Sequence, residues 1–330
     1  TGTYVVPNAG KVTFKEYAES WRTSQVFRPS TAALVELALR KRVYPAIGAK
    51  ALSSISKTMI QKLVASLNET YAPATVVVTY SYVSTVLKDA VENRRIARTP
   101  CVGIKLPEIV KKRVEPRTTQ QVQAAAKAAG DRLRATALLA AGTGMRRGEV
   151  FGLVSPADLE ERGLVDRQLV GVRQGGPVFG PPKTRASVRE IPLPTSVAEA
   201  LAKHIEQYPP GPYGLLFTTS HGHAWRWTTL GEVWRAKMRA AKLEGFDFHE
   251  LRHYYASLLI RYGESIKTVQ ARLGHKSAEE TLNTYSHLWP DSDDRSRDAV
   301  DAALRAEYGQ DFGNFPDSLR TPSHPGQHLA

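Results

Sequence analysis

Apolar side chains in the first hundred residues recur three or four positions apart, which is the spacing of an amphipathic helix. Residues 57–67 and residues 75–91 each carry one such apolar stripe. Thr13 stands just before an earlier stripe, where its hydroxyl can cap the first turn of a helix. We therefore expect residues 1–107 to fold as a small helical domain.

Ser30 is expected to cap a further helix in this region. Leu34, Leu37 and Val43 recur at helical spacing after it, and Pro45 lacks the amide hydrogen that a helix interior needs. The pattern predicts that this helix buries the three apolar residues and ends before the proline.

The helical pattern stops at residues 98–116, where three prolines and several charged residues interrupt it. This composition is typical of an extended linker. We place the linker at residues 108–117, between the helical domain and a second domain that covers residues 118–310. The remaining residues, 311–330, have little apolar content, and we expect them to be disordered.

Two short stretches of the second domain have the composition of strands, while the rest again shows helical spacing. The strands are residues 169–173 and 188–193, on either side of a connection rich in glycine and proline. We expect a mainly helical, α+β fold with one small antiparallel sheet. The predicted helices cover residues 118–130, 133–141, 197–207, 228–243, 249–262, 266–273 and 278–287.

The net charge of the chain narrows the classes of partner that it could bind. Its 330 residues include 45 Lys and Arg against 32 Asp and Glu, which gives a net charge of +13. Residues 1–110 hold 15 basic and 7 acidic side chains, and residues 111–290 hold 26 and 17, so both domains are basic. Such a balance favours a polyanionic partner, nucleic acid before an anionic membrane. A basic protein with solvated lysines would show the same totals.

Other classes of protein are excluded by simple observations. The sequence has no apolar stretch long enough to cross a membrane. Cys101 is the only cysteine, so no internal disulfide can form, and we see no secretory signal. We expect a soluble protein of the reducing cytoplasm that needs no membrane partner.

Four short segments of the second domain concentrate reactive side chains. Each segment alone is a weak signal, because a single arginine or lysine is usually solvated. Their order along the chain is what distinguishes them. The segments hold Arg146 with Glu149, then Lys183, then His249 with Arg252, then His275 followed by Tyr285.

This ordered set resembles the catalytic domain of the tyrosine recombinases, the phage integrase family. The segment of the family's first catalytic arginine resembles Gly144-Met-Arg146-Arg-Gly-Glu149. In this match Arg146 takes the arginine's place, and the adjacent Arg147 is not expected to be catalytic. The segment of the family's hairpin lysine is similar to Lys183-Thr-Arg-Ala-Ser-Val-Arg-Glu-Ile-Pro-Leu193. Arg185 is the alternative catalytic residue of this segment if Lys183 is not the one.

The remaining family motifs follow in the same order. The family's His-x-x-Arg box matches His249-Glu-Leu-Arg252, and its Leu-Gly-His motif is present at residues 273–275. The resemblance implies that Arg146, Lys183, His249, Arg252, His275 and Tyr285 are catalytic, that Tyr285 is the nucleophile and that Glu149 supports them.

The chemistry of strand cleavage agrees with these residue types. Arg146 and Arg252 suit the charge that builds on the phosphate oxygens, and histidines can donate to the same oxygens. Tyrosine has a pKa of about 10, so nearby cations are needed to favour the phenolate as it attacks. Lys183 would protonate the departing 5′ oxygen. Because a 3′-phosphotyrosine conserves the energy of the broken bond, neither ATP, a metal nor another cofactor is expected.

The resemblance also implies partners. We expect double-stranded DNA attachment sites, a tetramer on DNA, a Holliday junction intermediate, and a two-domain clamp whose helical domain is of the core-binding type. A phage or prophage integrase acting in the cytoplasm of a bacterial host is favoured over a chromosome-dimer resolvase; an excision factor or a host DNA-bending protein remains open. Candidate phosphate contacts are Arg40, Lys41, Arg42, Arg94, Arg95, Lys111, Lys112 and Arg113.

Three alternatives stay open at this point. The first is a type IB topoisomerase, which shares the tyrosine chemistry. A helix at residues 298–308 could distinguish the two, because a recombinase needs an element that packs on a neighbouring protomer. The same helix could instead cap its own domain. A DNA-binding protein without catalysis is the second alternative. The third is a zinc metalloprotease, because His249-Glu250-Leu-Arg-His253 spells His-Glu-x-x-His, with His275 or Glu264 as a third ligand. Outside that alternative, His253 is expected to be packed or hydrogen-bonded within its helix.

Overall fold

The structure is a computed structural model that describes residues 9–110, 113–154, 164–173, 176–182, 184–289, 297–298 and 300–304. The chain divides into two compact units, one that ends at Arg113 and one that begins at Val114. Both units are mainly helical, and short antiparallel strands occur in the second, so the expected fold class is confirmed.

The first unit is a group of helices around one apolar core. Thr13 caps its first helix as predicted: the Thr13 hydroxyl accepts from the amide of Glu16 at 3.2 Å, and the Glu16 carboxylate accepts from the amide of Thr13 at 3.0 Å. Burial of Ile60, Leu63 and Val64 confirms the stripe predicted for the third helix. The helices are α1 (Phe14–Ser24), α2 (Pro29–Ala38), α3 (Lys57–Thr70) and α4 (Pro73–Glu92).

The prediction for α2 was wrong in three respects. The helix begins at Pro29 and has no side-chain cap, so Ser30 lies inside its first turn. Leu34 and Leu37 face outward, 58% and 42% exposed. The chain then continues through Pro45 as a π-helix over Leu39–Gly48. Its wider turn is compatible with a residue that lacks one amide hydrogen.

The second unit is arranged around one helix, α6, which is buried on most of its surface. Alanines on α6 allow its neighbours to approach closely, and α5, α8 and α10 pack against it. The helices of this unit are α5 (Thr119–Ala128), α6 (Asp131–Thr143), α7 (Arg147–Val150), α8 (Thr195–Gln207), α9 (Trp227–Ala240), α10 (Glu250–Arg261), α11 (Ile266–Leu273) and α12 (Ala278–Tyr285).

The strands form two antiparallel pairs. Strand β2 (Gln168–Arg173) pairs with β3 (Gly176–Gly180), and β1 (Leu164–Val165) pairs with β4 (Arg189–Glu190). The two strands predicted at residues 169–173 and 188–193 therefore lie in separate antiparallel pairs, whereas one sheet was expected. A short loop favours pairing between strands adjacent in sequence, and prolines after β4 remove the donors that a longer strand would need.

Other expectations fall partly outside the described residues. Within the described part of the chain, no helix is both long and apolar enough to cross a membrane. Of the helix expected at residues 298–308, residues 298 and 300–304 are described as helical, and Val300 and Leu304 are 57% and 41% exposed. Residues 311–330 lie outside the described residues.

Candidate active site

Two helices of the second unit end at glycines with a left-handed backbone. Gly144 follows α6 and Gly274 follows α11, each with φ of +65°. A Cβ at Gly144 would lie 2.4 Å from the Tyr255 ring, and a Cβ at Gly274 would lie 3.0 Å from the carbonyl of Ala186. Both sites thus require glycine, and both helix ends present carbonyl groups that lack partners within their helices.

Arg252 on α10 joins these two helix ends. Its guanidinium donates to the carbonyl of Gly144 and to the carbonyl of Leu273, both at 2.6 Å. The side chain is buried, and burial together with the charges of Arg146 and Arg189 lowers its pKa to about 9. The group therefore remains a cation at neutral pH, held in place by two backbone carbonyls.

Arg146, at the start of α7, reaches the same turn. Its guanidinium donates to the carbonyl of Gly274 at 3.2 Å, to the Ser187 hydroxyl at 3.1 Å and to the Glu149 carboxylate at 3.1 Å. Since Leu273 and Gly274 are consecutive, the two arginines bind neighbouring carbonyls. The Arg146 side chain is 25% exposed, so the pair has one buried and one accessible member.

A buried carboxylate links Arg146 to a second arginine. Glu149 accepts from the Arg146 amide at 2.8 Å and from the Arg189 guanidinium at 2.9 Å. Burial alone raises the pKa of Glu149, but the charges and hydrogen bonds of Arg189 and Arg146 outweigh it, and the net shift is downward. Sequence reasoning missed Arg189; the available signal was an arginine inside a predicted strand, between Val188 and Ile191.

Tyr285, at the end of α12, is almost fully buried beside these arginines. Its hydroxyl lies 2.7 Å from Nδ1 of His253, and its ring stacks on that of His275 with centroids 6.4 Å apart and an interplanar angle of 11°. Burial raises its pKa to about 12, against the opposing charges of Arg252 and Arg146. The phenol is thus neutral at pH 7 in the DNA-free chain.

The predicted histidines are uncharged at neutral pH. Desolvation by the surrounding protein, together with nearby positive groups, lowers the pKa values of His249 and His275 to about 4 each. Nδ1 of His275 lies 2.9 Å from the Thr281 hydroxyl, which fixes the orientation of its ring. Part of the His249 side chain is exposed.

Only part of the segment around the predicted lysine belongs to the described residues. Lys183 lies outside the described residues. Its neighbour Thr184 lies 2.9 Å from the Ser187 hydroxyl, which connects this segment to Arg146. Arg185, the alternative catalytic residue, is exposed. Arg147, not expected to be catalytic, stacks on the Trp227 ring at 4.8 Å.

His253 has a partner that was not expected. It was expected to be packed or hydrogen-bonded within its own helix, and its Nδ1 meets the Tyr285 hydroxyl of another helix. The available signal was its position four residues after His249, one helical turn away on the same face. The two rings are in edge-to-face contact, with centroids 4.7 Å apart.

The residues of the zinc alternative have other contacts. Glu250 pairs with Arg117, with 3.4 Å between Nε and the carboxylate oxygen, and His253 is bonded to Tyr285. Over the described part of the chain, no group of three or more His, Cys, Asp or Glu side chains is placed to hold a metal ion.

The candidate phosphate contacts differ in accessibility. Arg42 stacks on the Tyr71 ring at 4.9 Å, and its guanidinium lies 3.4 Å from the Thr79 hydroxyl. Lys111 and Lys112 lie outside the described residues. The exposed members of the set are Arg40, Lys41, Arg94, Arg95 and Arg113.

Comparison with known proteins agrees with this geometry. Residues 112–291 match the Phage integrase family, and residues 14–106 match the Phage integrase central domain. The chain belongs to the phage integrase family, the tyrosine recombinases. The two matches of this integrase-family chain meet near the division between its two compact units.

Its relatives include integrases of mycobacterial phages. The integrase of Mycobacterium phage D29 is 26% identical, over 81% of this chain and 72% of its own length. A putative prophage phiRv2 integrase of Mycobacterium tuberculosis is 27% identical, over 90% of this chain and 79% of its own. A tyrosine recombinase XerC-like protein of Caldanaerobacter subterraneus subsp. tengcongensis is 29% identical over 64% of this chain, which spans less than two thirds, 61%, of that relative's length.

Solved structures share the integrase fold. The Tn1549 transposon integrase in complex with a circular intermediate DNA matches 88% of this chain and 99% of its own, with a TM-score of 0.73 and 20% identity. A lambda integrase tetramer bound to a Holliday junction matches 82% of this chain and 77% of its own, with a TM-score of 0.62 and 20% identity. At this identity the likeness shows the fold.

Proposed function

We propose that this protein is a site-specific DNA recombinase, a phage or prophage integrase, that cuts and rejoins DNA strands through a covalent 3′-phosphotyrosine at Tyr285. The observation that carries the proposal is the buried Tyr285 phenol, which lies within the electrostatic reach of Arg146 and Arg252. A tyrosine surrounded by cations fits attack on a phosphodiester, because the same positive charges favour both the phenolate and the charged phosphate oxygens.

The two arginines would hold the scissile phosphate. A guanidinium has five N–H donors, and the two backbone bonds of Arg252 occupy one donor on each terminal nitrogen. The remaining donors suit the non-bridging oxygens of a phosphate. Neutral His249 and His275 would add uncharged donors, with His275 held by Thr281.

Lys183 is proposed to protonate the departing 5′ oxygen. Support for this role comes from its position in sequence beside Thr184, which is connected through Ser187 to Arg146. A lysine among several cations loses its proton more readily than a free lysine, which suits it to this transfer. The phosphotyrosine retains the energy of the broken bond, so rejoining needs no ATP.

We propose that both parts of the chain bind DNA. Residues 1–107 would be the core-type DNA-binding domain, residues 108–117 the linker and residues 118–310 the catalytic domain, closing on DNA as a clamp. The positive charge balance of residues 1–110 and of residues 111–290 supports DNA binding by both parts. The active form would be a tetramer on paired attachment sites. The exposed Arg40, Lys41, Arg94, Arg95 and Arg113 are the candidate phosphate contacts in the described residues.

The decisive experiment is a denaturing-gel assay for covalent protein–DNA adducts. Supercoiled DNA that flanks the gene is incubated with the protein in excess EDTA, with Tyr285→Phe in parallel. We expect an adduct with the wild-type chain and none with the variant, because only the variant lacks the attacking hydroxyl. Recombinant products would then distinguish a recombinase from a topoisomerase, which would only relax the DNA. Salt-sensitive binding without any adduct would contradict the proposed catalysis.

A further inference from the structure

His253 and Tyr285 form a hydrogen bond between two helices, 32 positions apart in sequence. The distance from Nδ1 to the phenolic oxygen is 2.7 Å, and the ring centroids are 5.6 Å apart at 66°. Neutral imidazole can accept at Nδ1 when its own proton is on Nε2. In that tautomer the phenol donates the hydrogen bond and Nδ1 accepts it.

We infer that His253 is the general base of strand cleavage, whose Nδ1 takes the phenolic proton of Tyr285 as the phenolic oxygen attacks phosphorus. This inference rests on the proposed function. In this step the bond from the phenolic oxygen to phosphorus forms and the bond from phosphorus to the 5′ oxygen breaks. The phenolic proton moves to His253, and the 5′ oxygen takes a proton from Lys183. In rejoining, a 5′ hydroxyl attacks phosphorus and gives its proton to Lys183, while the phosphotyrosine bond breaks and His253 returns its proton to Tyr285.

Tyr285 needs a proton acceptor because the cations around it are insufficient to ionise it. Its pKa remains raised, to about 12, although Arg252 and Arg146 act in the opposite direction. A base within hydrogen-bond reach removes this barrier by taking the proton during attack rather than before it. General base catalysis of this kind typically contributes about 10²- to 10⁴-fold in rate.

His275 and the arginines around Tyr285 are less suited to this task. His275 stacks on the face of the Tyr285 ring, and its Nδ1 is bonded to Thr281. Arginines are poor proton acceptors at neutral pH. His253 is therefore the acceptor that the geometry favours, since its ring nitrogen directly meets the phenolic oxygen.

The charges around this pair define its pH dependence. Burial, followed by the positive Arg252, lowers the pKa of His253 below 6.5, so the ring is a free acceptor at neutral pH. Cleavage should therefore slow at acid pH, as His253 becomes protonated. The groups that face the pair are His249 just before α10, Glu250 and Arg252 on α10, Arg146 before α7, Glu280 on α12 and His275.

The test measures the rate of adduct formation on a nicked version of the DNA that wild-type protein cleaves, so that the adduct accumulates. His253→Asn is the informative variant: the asparagine oxygen can accept a hydrogen bond much as Nδ1 does but takes up no proton near neutral pH. We expect cleavage to slow by about 10²-fold or more and the acid limb of the pH–rate profile to disappear. His223→Asn, at an exposed histidine outside the site, is the matched control and should cleave at the wild-type rate.

A substrate with sulfur in place of the bridging 5′ oxygen separates the two proton transfers. A thiolate leaves without protonation, so this substrate should restore cleavage by Lys183→Ala but not by His253→Asn. Rescue of His253→Asn would overturn the inference, because it would place the defect at the leaving group. Cleavage by His253→Asn within threefold of wild type on the ordinary substrate would also overturn it.

Three further measurements keep the test independent of folding and of the proposed function. Thermal melting and DNA affinity are compared for each variant, and the wild-type pH–rate profile needs no variant. A wild-type rate with no acid limb down to the pH at which the protein unfolds would overturn the role of His253. Failure of the wild-type chain to form any adduct would instead contradict the proposed function.

Discussion

Glu149 determines the position of both arginines that contact it. Its carboxylate is 1% exposed and bonds to Arg189 and Arg146, so each arginine has a fixed partner on one side. A buried carboxylate that loses a cationic partner destabilises the fold, because its charge is then no longer compensated. At the scale of single residues, the site therefore depends on a side chain that need not touch DNA.

Arg189→Met is expected to destabilise the protein by about 3–5 kcal/mol at pH 7, because it removes one partner of a buried ion pair. In the wild-type fold the pKa of Glu149 lies below its ordinary value of 4.5. The pair therefore contributes stability above pH 4.5, and that contribution is lost as the pH falls through the lower, folded-state pKa. In the variant, burial dominates and raises the pKa of Glu149. The difference in the free energy of unfolding between the two proteins should therefore shrink as the pH falls.

Urea unfolding of both proteins between pH 4 and pH 8 checks this expectation. Arg185→Met is the matched control, since Arg185 is exposed and four residues away, and it should change the stability by less than about 0.5 kcal/mol. An Arg189→Met variant as stable as the control at pH 7 would show that the buried pair contributes little.

At the scale of elements, the site depends on how two helices end. Gly144 and Gly274 stop α6 and α11 in the left-handed conformation, and the carbonyls at these ends hold Arg252 and Arg146. Helix ends usually bind water or capping side chains. Here cationic side chains take that place, so the two turns position the guanidiniums.

Gly274→Ala should therefore disturb the site as well as the fold. An alanine there meets backbone atoms of Ala186 and Ser187 at 3.0 Å in addition to the strain of its positive φ. Gly263→Ala is a matched control, because Gly263 also has positive φ, +83°, but no atoms within 4 Å of an added Cβ. The control should be destabilised only by the strain of its left-handed backbone, by about 1–2 kcal/mol.

Urea unfolding and adduct formation, measured on both glycine variants, check the comparison. Gly274→Ala is expected to lose more stability than Gly263→Ala and at least tenfold more cleavage activity. Equal losses in the two variants would mean that the turn at Gly274 has no special role in positioning Arg146.

Sequence patterns predicted the helices well where local signals agreed. The cap at Thr13 and the helix over residues 266–273 followed from a hydroxyl or an apolar stripe within one segment. The exposed side of α2 and the partner of β2 were not predicted, because both depend on packing with distant segments. His253 and Arg189 were missed for the same reason: their partners, Tyr285 and Glu149, are 32 and 40 residues away.

At the scale of the whole molecule, excess positive charge is found in both parts of the sequence. Residues 1–110 and residues 111–290 carry excesses of similar size, so neither part alone accounts for the basic character of the chain. Binding that uses both should release many counterions from DNA. Its affinity should therefore decrease steeply as salt is added.

The salt dependence of DNA affinity tests whether Arg94 and Arg95 belong to this surface. Both are exposed, and Arg94 has φ of +54°, which turns the chain sharply after α4. If each contacts a phosphate, replacing both with Gln should reduce the slope of log affinity against log salt by about 1.8, since each contact contributes about 0.9. Lys88→Gln is the control, because Lys88 already pairs with Glu92 at 4.0 Å and should leave the slope nearly unchanged. An unchanged slope in the double variant would mean that these two arginines are only solvated surface charges, and the exposed Arg40 and Lys41 would be the next candidates in this unit.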